Sequence, residues 1–550
     1  MLIGVCGLTF FAALGRPAIT DSDEAFYAES AREMVETSDW LTPYYNYDTR
    51  FQKPVLFYWL VALAYVIFGV GETAARVPSA LAGLGLVLVT WACGRRWCHP
   101  ETGWIAGLVA ATSFGYFAMA RQSLPDLPLA FFVTVAIWTA VEASSPANTR
   151  DRRRWLLASA AALSAAILTK GPVGVVVFAL AVVPVLAWEV RRAGWWTPLA
   201  VLRLLPARDL ALAAVLCLGL AGPWYGAMAV EHGPAYLWNF FIGENVERFA
   251  TSRFNEPRQL WFYIPVVAGG LLPWSPLAIL WIDPLRRVWQ RTRTLTTTEI
   301  RLLAWFVVPL IFFTISVGKQ PRYILPLLPP LAILLAETVR RRLRLDGPDR
   351  RLAIAGSAAG TLLLTVGLVL ARGSSVAIVA SPAVQALGVV GLVGGGAAVV
   401  AIGWSRAQRR LVPALATVSV IGLLAVQFGL VSQPRPAAVE RIAAAIEQHR
   451  EGFQAVGAVG VMVRNLVFYT HIRQTDLFND QRAVDVLESD TPILVVIRER
   501  DLERLERDRG VSPRRLAQVP HIDIAGLRVG SLLAPSAGDL EDTVWLVTNR

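Results

Sequence analysis

The sequence has little of the residue types on which soluble and secreted domains depend. Only 17% of its 550 residues are charged, whereas soluble domains carry roughly 25%. Its five histidines are scattered, so no histidine-rich metal site is visible. Four cysteines lie in or beside apolar runs and give no disulfide framework. Any part of the chain outside a membrane must therefore fold without disulfides.

Apolar residues are abundant instead. They make up 55% of the chain, and the mean hydropathy is +0.49, which indicates a polytopic membrane protein. The net charge of +11 does not predict nucleic-acid binding, because the arginines form short clusters between apolar runs. This spacing is typical of cytoplasmic loops. The clusters are Arg95-Arg96, Arg150 to Arg154, Arg191-Arg192, Arg286-Arg287, Arg340 to Arg344, Arg350-Arg351 and Arg406 to Arg410.

A spanning helix needs about 20 apolar residues. Each span that is added moves all later arginine clusters to the other side of the membrane, so the positions of these clusters decide which runs span. If 54–70 crossed the membrane, every arginine cluster would face outward, so we expect this run to lie in the interface or to dip in and return. We predict 13 spanning helices, with a first helix that is retained rather than cleaved, the N-terminus inside and the C-terminus outside. The predicted spans are 2–14, 75–94, 102–119, 125–142, 155–169, 171–190, 208–229, 260–282, 300–317, 322–338, 352–371, 377–403 and 411–432.

The last part of the chain changes character. Helix-like patterns at 437–448 and 501–509 alternate with strand-like runs at 455–463 and 493–497, followed by strand-like pieces at 527–533 and 543–548. Such alternation predicts an α/β domain outside the membrane. The predicted fold is thus a polytopic α-helical membrane domain over 1–432, with a first outer loop at 15–74, and a periplasmic α/β domain over 433–550.

Acidic residues follow the first apolar run. In Asp21-Ser22-Asp23-Glu24 we expect a helix start, with Asp21 as the cap and Glu24 reaching back to it. Asp23 and Tyr27 then share one face of the helix. These acids either favour the helix N-terminus only or serve catalysis, with Asp23 as a general base.

Further polar residues fall on the same predicted outer face. Lys53 and Lys170 are either lysines anchored at the interface or cations that bind a lipid phosphate. Asp126 is either a helix cap or a second carboxylate of the site. Glu24 and Tyr27 are candidate substrate- or donor-binding residues beside Asp23, and those elsewhere on this face are Glu244, Arg248, Arg322 and Tyr323.

Several motifs taken together resemble a known family, the aminoarabinose transferase branch of the protein O-mannosyltransferase superfamily. These proteins are bacterial glycosyltransferases of the GT-C type. The resemblance covers nearly the whole membrane region and is weaker over the C-terminal domain. The motifs are Asp23-Glu24-Ala25-Phe26-Tyr27, Asp39-Trp40-Leu41-Thr42-Pro43, Phe51-Gln52-Lys53-Pro54, Thr169-Lys170-Gly171, Gly222-Pro223-Trp224-Tyr225, Phe240 to Phe249 and Gly318 to Pro326.

The resemblance implies transfer of a sugar from undecaprenyl phosphate to an acceptor at the periplasmic face of the bacterial inner membrane. In the aminoarabinose enzymes the acceptor is a phosphate of lipid A; here the acceptor could also be another glycolipid, a glycan or a protein. By the same resemblance Asp23 matches the catalytic aspartate, Asp126 the second outer aspartate, Tyr27 a neighbour of Asp23, Lys53 the loop lysine and Lys170 the donor-phosphate lysine.

Three positions depart from the family pattern. Gln52 and Asn245 stand where glutamate and histidine of a proposed metal site are usual, so we expect no zinc and no other cofactor. Arg50 replaces a usual aromatic and adds charge near the pocket, which leaves the acceptor open. Two other functions compete with sugar transfer: a lipid or oligosaccharide flippase or transporter that uses the same cavity, and a scaffold that presents the C-terminal domain.

Overall fold

The computed structural model describes residues 1–145, 148–194, 197–251, 257–372, 382–432, 435–452, 454–477, 479–522 and 541–550. The part up to residue 432 is helical apart from a two-stranded hairpin, β1 (Tyr44–Tyr45) and β2 (Asp48–Thr49). Its helices are α1 (Leu2–Cys6), α2 (Asp23–Thr37), α3 (Leu56–Phe68), α4 (Glu72–Trp97), α5 (Pro100–Thr112), α6 (Phe114–Ala120), α7 (Asp126–Ser144), α8 (Arg152–Lys170), α9 (Pro172–Arg192), α10 (Val201–Leu204), α11 (Ala207–His232), α12 (Pro234–Trp238), α13 (Glu247–Ala250), α14 (Tyr263–Gly270), α15 (Ile282–Trp289), α16 (Thr297–Ile315), α17 (Leu328–Leu343), α18 (Arg350–Arg372), α19 (Pro382–Trp404) and α20 (Leu411–Val426).

The predicted polytopic helical class is confirmed, but the count of 13 spans is not. Among the described residues, nine helices are long and apolar enough to cross a membrane, or up to 11 if two bent pairs each count as one span. The predicted spans 2–14 and 155–169 do coincide with helices. However, the first helical segment, Leu2–Phe11, is short. α8 begins with three arginines, so its apolar part is shorter than the helix.

The run at 54–70 forms α3, which has 13 residues. A helix of this length extends about 20 Å, less than the roughly 30 Å of a bilayer core. Phe57 and Tyr58 on α3 are buried in a cluster with Tyr27 of α2, whereas Ile67 and Phe68 are exposed. α3 is thus shorter than a spanning helix, and its place in the interface of the first loop stays a prediction.

Helix α7 separates two chemically different ends of the bundle. Its first residue is Asp126, and near its last turn Glu142 pairs with Arg96 at 2.8 Å. Other arginine clusters gather at that second end, where Arg344 pairs with Glu101 and Arg192 donates to Thr297 at 2.9 Å. The predicted grouping of the arginine clusters on one face agrees with these contacts.

The C-terminal region contains the predicted sheet-containing domain. Its five strands run in the order β4-β3-β5-β7-β6, with β3, β4 and β5 parallel and β5, β7 and β6 antiparallel. β5 reads as an apolar run because both of its faces are buried, Leu494 and Val496 on one side and Val495 and Ile497 on the other. The elements are α21 (Ala438–His449), β3 (Ala455–Val459), α22 (Leu466–Thr470), β4 (Gln474–Asp476), α23 (Asp480–Leu487), β5 (Ile493–Arg498), α24 (Glu499–Arg509), β6 (Arg514–Ile522) and β7 (Glu541–Thr548).

Three strands of this domain differ from the sequence prediction, which missed the short β4 as well as β6. β6 was not predicted because its two arginines and Pro520 do not look like a strand. β6 is an edge strand of the sheet. Proline is tolerated in an edge strand because a backbone N–H on its open side has no neighbouring strand to donate to. The predicted strand at 455–463 ends at Val459, and the predicted strand at 527–533 lies outside the described residues.

Candidate active site

The start of α2 sets the geometry of the acidic motif. Ser22, not Asp21, is the N-cap, and its side chain accepts a hydrogen bond from the Glu24 backbone N at 3.3 Å. The prediction that Asp21 caps the helix is therefore wrong. The Asp21 carboxylate instead accepts from the backbone N of Val463 at 3.2 Å and of Arg464 at 2.7 Å, both in the C-terminal domain.

Glu24 is enclosed rather than open to a ligand. Its side chain is 0% exposed and forms two hydrogen bonds with Arg76 of α4, at 2.7 and 3.0 Å. It also accepts from the backbone N of Thr20 and of Ser123. Burial alone would raise the pKa of the Glu24 carboxyl, but Arg76 and these hydrogen bonds lower it below its ordinary value. Glu24 thus joins α2, α4 and the segment before Asp126, and the predicted substrate contact finds no accessible surface here.

Four of the predicted residues meet in one cluster. Arg322 donates to the Asp23 carboxylate, and its Nε lies 3.5 Å from Oδ2 of Asp126. The other oxygen of Asp126, Oδ1, lies 2.5 Å from Nζ of Lys170. The two carboxylates differ in access, because the Asp23 side chain is 46% exposed and that of Asp126 only 4%. Asp126 therefore holds the two cations in place, and Asp23 is the carboxylate that a ligand can reach.

The charge state of Asp23 follows from its neighbours. Partial burial raises the pKa of its carboxyl, but the nearby Arg322 guanidinium outweighs this effect and holds the pKa below its ordinary value. Asp23 is consequently ionised at neutral pH. Tyr323 belongs to the same cluster, with the Lys170 ammonium 5.0 Å from the centre of its ring.

Local backbone features present Lys170. It is the last residue of α8, and Gly171 follows with φ of 73°. A Cβ at Gly171 would lie 2.7 Å from the Phe240 ring, so only glycine allows this close approach. Lys170 thus ends its helix directly beside Asp126 at the start of α7.

Lys53 and Glu244 form a second pair, with Nζ 3.7 Å from Oε2. Tyr27, which was predicted to share a helix face with Asp23, is buried against Phe57 and Tyr58, with 5.4 and 5.5 Å between ring centres. Burial raises the pKa of the Tyr27 hydroxyl well above its ordinary range, so it stays protonated. Arg248 lies in α13, but its side chain is outside the described residues.

No metal centre is evident in the described ranges. They contain no group of three or more histidine, cysteine, aspartate or glutamate side chains that could hold an ion. Asn245 uses its Nδ2 to donate to the Phe240 carbonyl at 2.7 Å, and Gln52 offers only an amide. These donors do not fit zinc, and independence from metal stays a prediction.

Sequence reasoning missed two arginines near the site. Arg76 lies inside the predicted span 75–94, at the end where the positive-inside rule does not expect a cation, and that anomaly was a usable signal. Arg464 lies more than 400 positions away from Asp23 in the chain. Its nearness to the site depends on how the C-terminal domain docks, which no local pattern encodes.

Comparison with known proteins finds similar glycosyltransferases. Residues 18–230 match the family model of dolichyl-phosphate-mannose-protein mannosyltransferase. The chain is 33% identical over 358 residues to the undecaprenyl phosphate-alpha-4-amino-4-deoxy-L-arabinose arabinosyl transferase of Edwardsiella ictaluri, covering 62% of this chain and 60% of the relative. The transferase of the same name from Pseudomonas aeruginosa strain LESB58 is 33% identical over 379 residues, covering 67% and 63%. The chain thus spans about three fifths of the length of these relatives.

A solved structure supports the same relationship at the level of the fold. The crystal structure of ArnT from Cupriavidus metallidurans bound to undecaprenyl phosphate matches with a TM-score of 0.73 at 23% identity, over 100% of this chain and 97% of that chain. This likeness confirms the GT-C fold with its C-terminal sheet-containing domain. Together with the sequence relatives, it confirms the resemblance predicted from the motifs: the chain has the GT-C fold and is similar in sequence to aminoarabinose transferases.

Proposed function

We propose that this protein transfers a sugar from undecaprenyl phosphate to a lipid acceptor, with aminoarabinose and lipid A as the leading pair. The observation that carries the proposal is the cluster of Asp23, Asp126, Lys170 and Arg322, in which one carboxylate is open and the other is buried between two cations. The names of the sequence relatives support the choice of sugar carrier.

The two cations suit the phosphate of the donor. In the reaction the bond between the anomeric carbon and the phosphate oxygen breaks, and the phosphate leaves with the electron pair. Lys170 and Arg322 would stabilise that developing negative charge, and they do so strongly because they are only 12% and 22% exposed. Asp126 keeps both cations in position and prevents mutual repulsion from driving them apart.

The open carboxylate suits the anomeric carbon. As the phosphate leaves, this carbon gains positive charge, which an adjacent ionised Asp23 stabilises. A hydroxyl acceptor would also lose its proton to Asp23 as its oxygen forms the new bond. A phosphate acceptor is already ionised and needs only to be positioned.

The same proposal fixes the orientation in the membrane. The arginine-rich end of the bundle faces the cytoplasm, and the end that carries Asp23 faces the periplasm of a bacterial inner membrane. We assign residues 1–432 to the transferase domain and 433–550 to a periplasmic domain. A cysteine introduced at Gly71 or Thr73 should then react with a reagent added from the periplasmic side, and labelling only from the cytoplasm would contradict this orientation.

The direct test is mass spectrometry of lipid A and other membrane glycolipids from cells that lack their own aminoarabinose transferase but supply the donor. Expression of this protein should add the mass of one sugar residue to an acceptor, and the Asp23→Asn variant should add none. If the folded wild-type protein modifies no glycolipid but moves labelled donor across vesicle membranes, the flippase or transporter alternative is correct instead.

A further inference from the structure

A loop of the C-terminal domain rests on the catalytic helix α2. This loop, residues 460–465, follows the carboxyl end of β3, the edge at which parallel strands place ligand-binding loops. Asp21 accepts from two of its backbone N–H groups. The Tyr45 hydroxyl donates to the Arg464 carbonyl at 3.1 Å, and Asn465 Nδ2 donates to the Ile19 carbonyl at 2.8 Å. The backbone around Arg464 is thus fixed relative to α2.

The Arg464 side chain points toward the acidic motif. Its guanidinium lies 5.6 Å from the centre of the Phe26 ring, and Phe26 is three residues after Asp23 on α2. Arg50 lies 4.1 Å from the same ring centre. Arg464 is exposed, and it forms no ion pair with a carboxylate of the described residues.

Three arginine guanidinium groups act on the Asp23 carboxylate. Burial raises the pKa of the Asp23 carboxyl, while Arg322 and then Arg464 and Arg50 lower it, so three guanidiniums act on one carboxylate. Arg322 is shared with Asp126. Arg464 therefore presents a positive charge at the open rim of the site, and no carboxylate of the described residues forms an ion pair with it.

We propose that Arg464 forms a subsite for the phosphate group of the lipid acceptor, so that the C-terminal domain contributes directly to acceptor binding. This inference rests on the proposed function. The partly buried pair Lys170 and Arg322 is assigned to the donor phosphate, which leaves the exposed guanidinium of Arg464 for an anion that arrives from the periplasm. An arginine also suits this role because its planar group can form two hydrogen bonds with one phosphate.

The test compares Arg464→Gln with a matched control in the same domain. Arg473 also docks this domain on the first loop, through two contacts of 2.7 Å with Asp48, and like Arg464 it is exposed. Sugar transfer is measured in detergent micelles at varied lipid A and varied donor. Arg464→Gln should raise the KM for lipid A about tenfold, the expected loss of one charge-assisted contact, with kcat and the donor KM within about twofold. Arg464→Lys should recover most of this loss, and Arg473→Gln should leave the KM for lipid A unchanged.

Direct binding separates this inference from the proposed function. Arg464→Gln should bind lipid A more weakly than the wild type, and the two proteins should bind dephosphorylated lipid A equally. Equal binding of lipid A by both proteins, or an equal KM increase in Arg473→Gln, would overturn the inference. A wild type that binds lipid A through Arg464 but transfers no sugar would contradict only the proposed function.

Discussion

Asp23 and Glu24 are consecutive residues of one helix, yet they have opposite environments. Glu24 is 0% exposed and receives hydrogen bonds from Arg76 and from the backbone of Thr20 and Ser123. Asp23 is 46% exposed and receives one hydrogen bond, from Arg322. Both carboxyl pKa values are lowered, but only one carboxylate can reach a substrate.

The difference shows how a buried carboxylate can position an accessible one. Because consecutive residues of a helix project about 100° apart, Glu24 turns into the bundle when Asp23 faces the cleft. The buried pair of Glu24 and Arg76 fixes the start of α2 against α4, and the bond to Ser123 fixes the segment that leads to Asp126. The position of Asp23 and Asp126 therefore depends on a buried pair that is closed to ligands.

The largest expected effect is on Asp23. Asp23→Asn keeps the size of the side chain and removes its charge, so sugar transfer should fall roughly 10²–10⁴-fold, the range for loss of a catalytic acid-base or electrostatic group. Thermal unfolding in detergent and binding of undecaprenyl phosphate should change little. Retained turnover in the folded variant would remove Asp23 from the mechanism.

The second effect falls on stability rather than on chemistry. Glu24→Gln leaves the Arg76 guanidinium buried without its counter-charge, which typically costs about 3–5 kcal/mol. The thermal midpoint in detergent should therefore drop clearly below that of Asp23→Asn. If Glu24→Gln unfolds at the wild-type temperature but loses turnover, Glu24 acts on the substrate after all.

The pH dependence of stability should carry the same signature. The pKa of Glu24 is lower in the folded protein than its ordinary value of 4.5. The contribution of the ionised Glu24 to the free energy of unfolding is therefore fully present above pH 4.5 and is lost as the pH falls through the folded pKa. Wild type should lose stability over that acidic range more steeply than Glu24→Gln. Parallel curves from pH 7 to pH 3 would show that the pair does not couple folding to protonation.

The third effect concerns donor binding. Lys170→Ala removes one of the two cations proposed to hold the donor phosphate, and the affinity for undecaprenyl phosphate should fall about tenfold or more, as expected for a charge-assisted contact. Arg154→Ala is the control, because that arginine lies at the opposite end of the same helix and is 88% exposed. Equal affinities in the two variants would contradict the donor assignment.

The sequence predicted the membrane class from hydropathy, and the distribution of charges and the motifs put Asp23, Asp126, Lys170 and Arg322 on one face. The interfacial placement of α3 stays a prediction. The contacts of Asp21 and Glu24 were predicted less well. Four acidic or hydroxyl residues in a row can all cap a helix, and the choice among them depends on tertiary partners, here Arg76 and the loop at 460–465.

The number of spanning helices and the positions of the C-terminal strands were difficult to predict for the same physical reason. The arginines at the start of α8 lower the mean hydropathy of the helix, although a helix end at the cytoplasmic surface tolerates them. β6 forms because β7 offers it a partner, and its own residues indicate a strand only weakly. Both depend on surroundings that a local window of sequence does not contain.

The smallest expected effect is on Asp21, and its reason follows from the structure. Each carboxylate oxygen of Asp21 accepts from a different backbone N–H, that of Val463 or Arg464. Asp21→Asn keeps one acceptor oxygen but turns an NH₂ group toward the other N–H, so one exposed contact is lost, at about 1 kcal/mol. Sugar transfer should stay within about threefold of wild type, and the change should be in the KM for lipid A, because the loop carrying Arg464 loosens. Hydrogen exchange at Val463 and Arg464 should quicken in this variant and stay unchanged in Asp23→Asn. If Asp21→Asn instead abolished kcat as Asp23→Asn is expected to do, the catalytic carboxylate would have been assigned to the wrong residue.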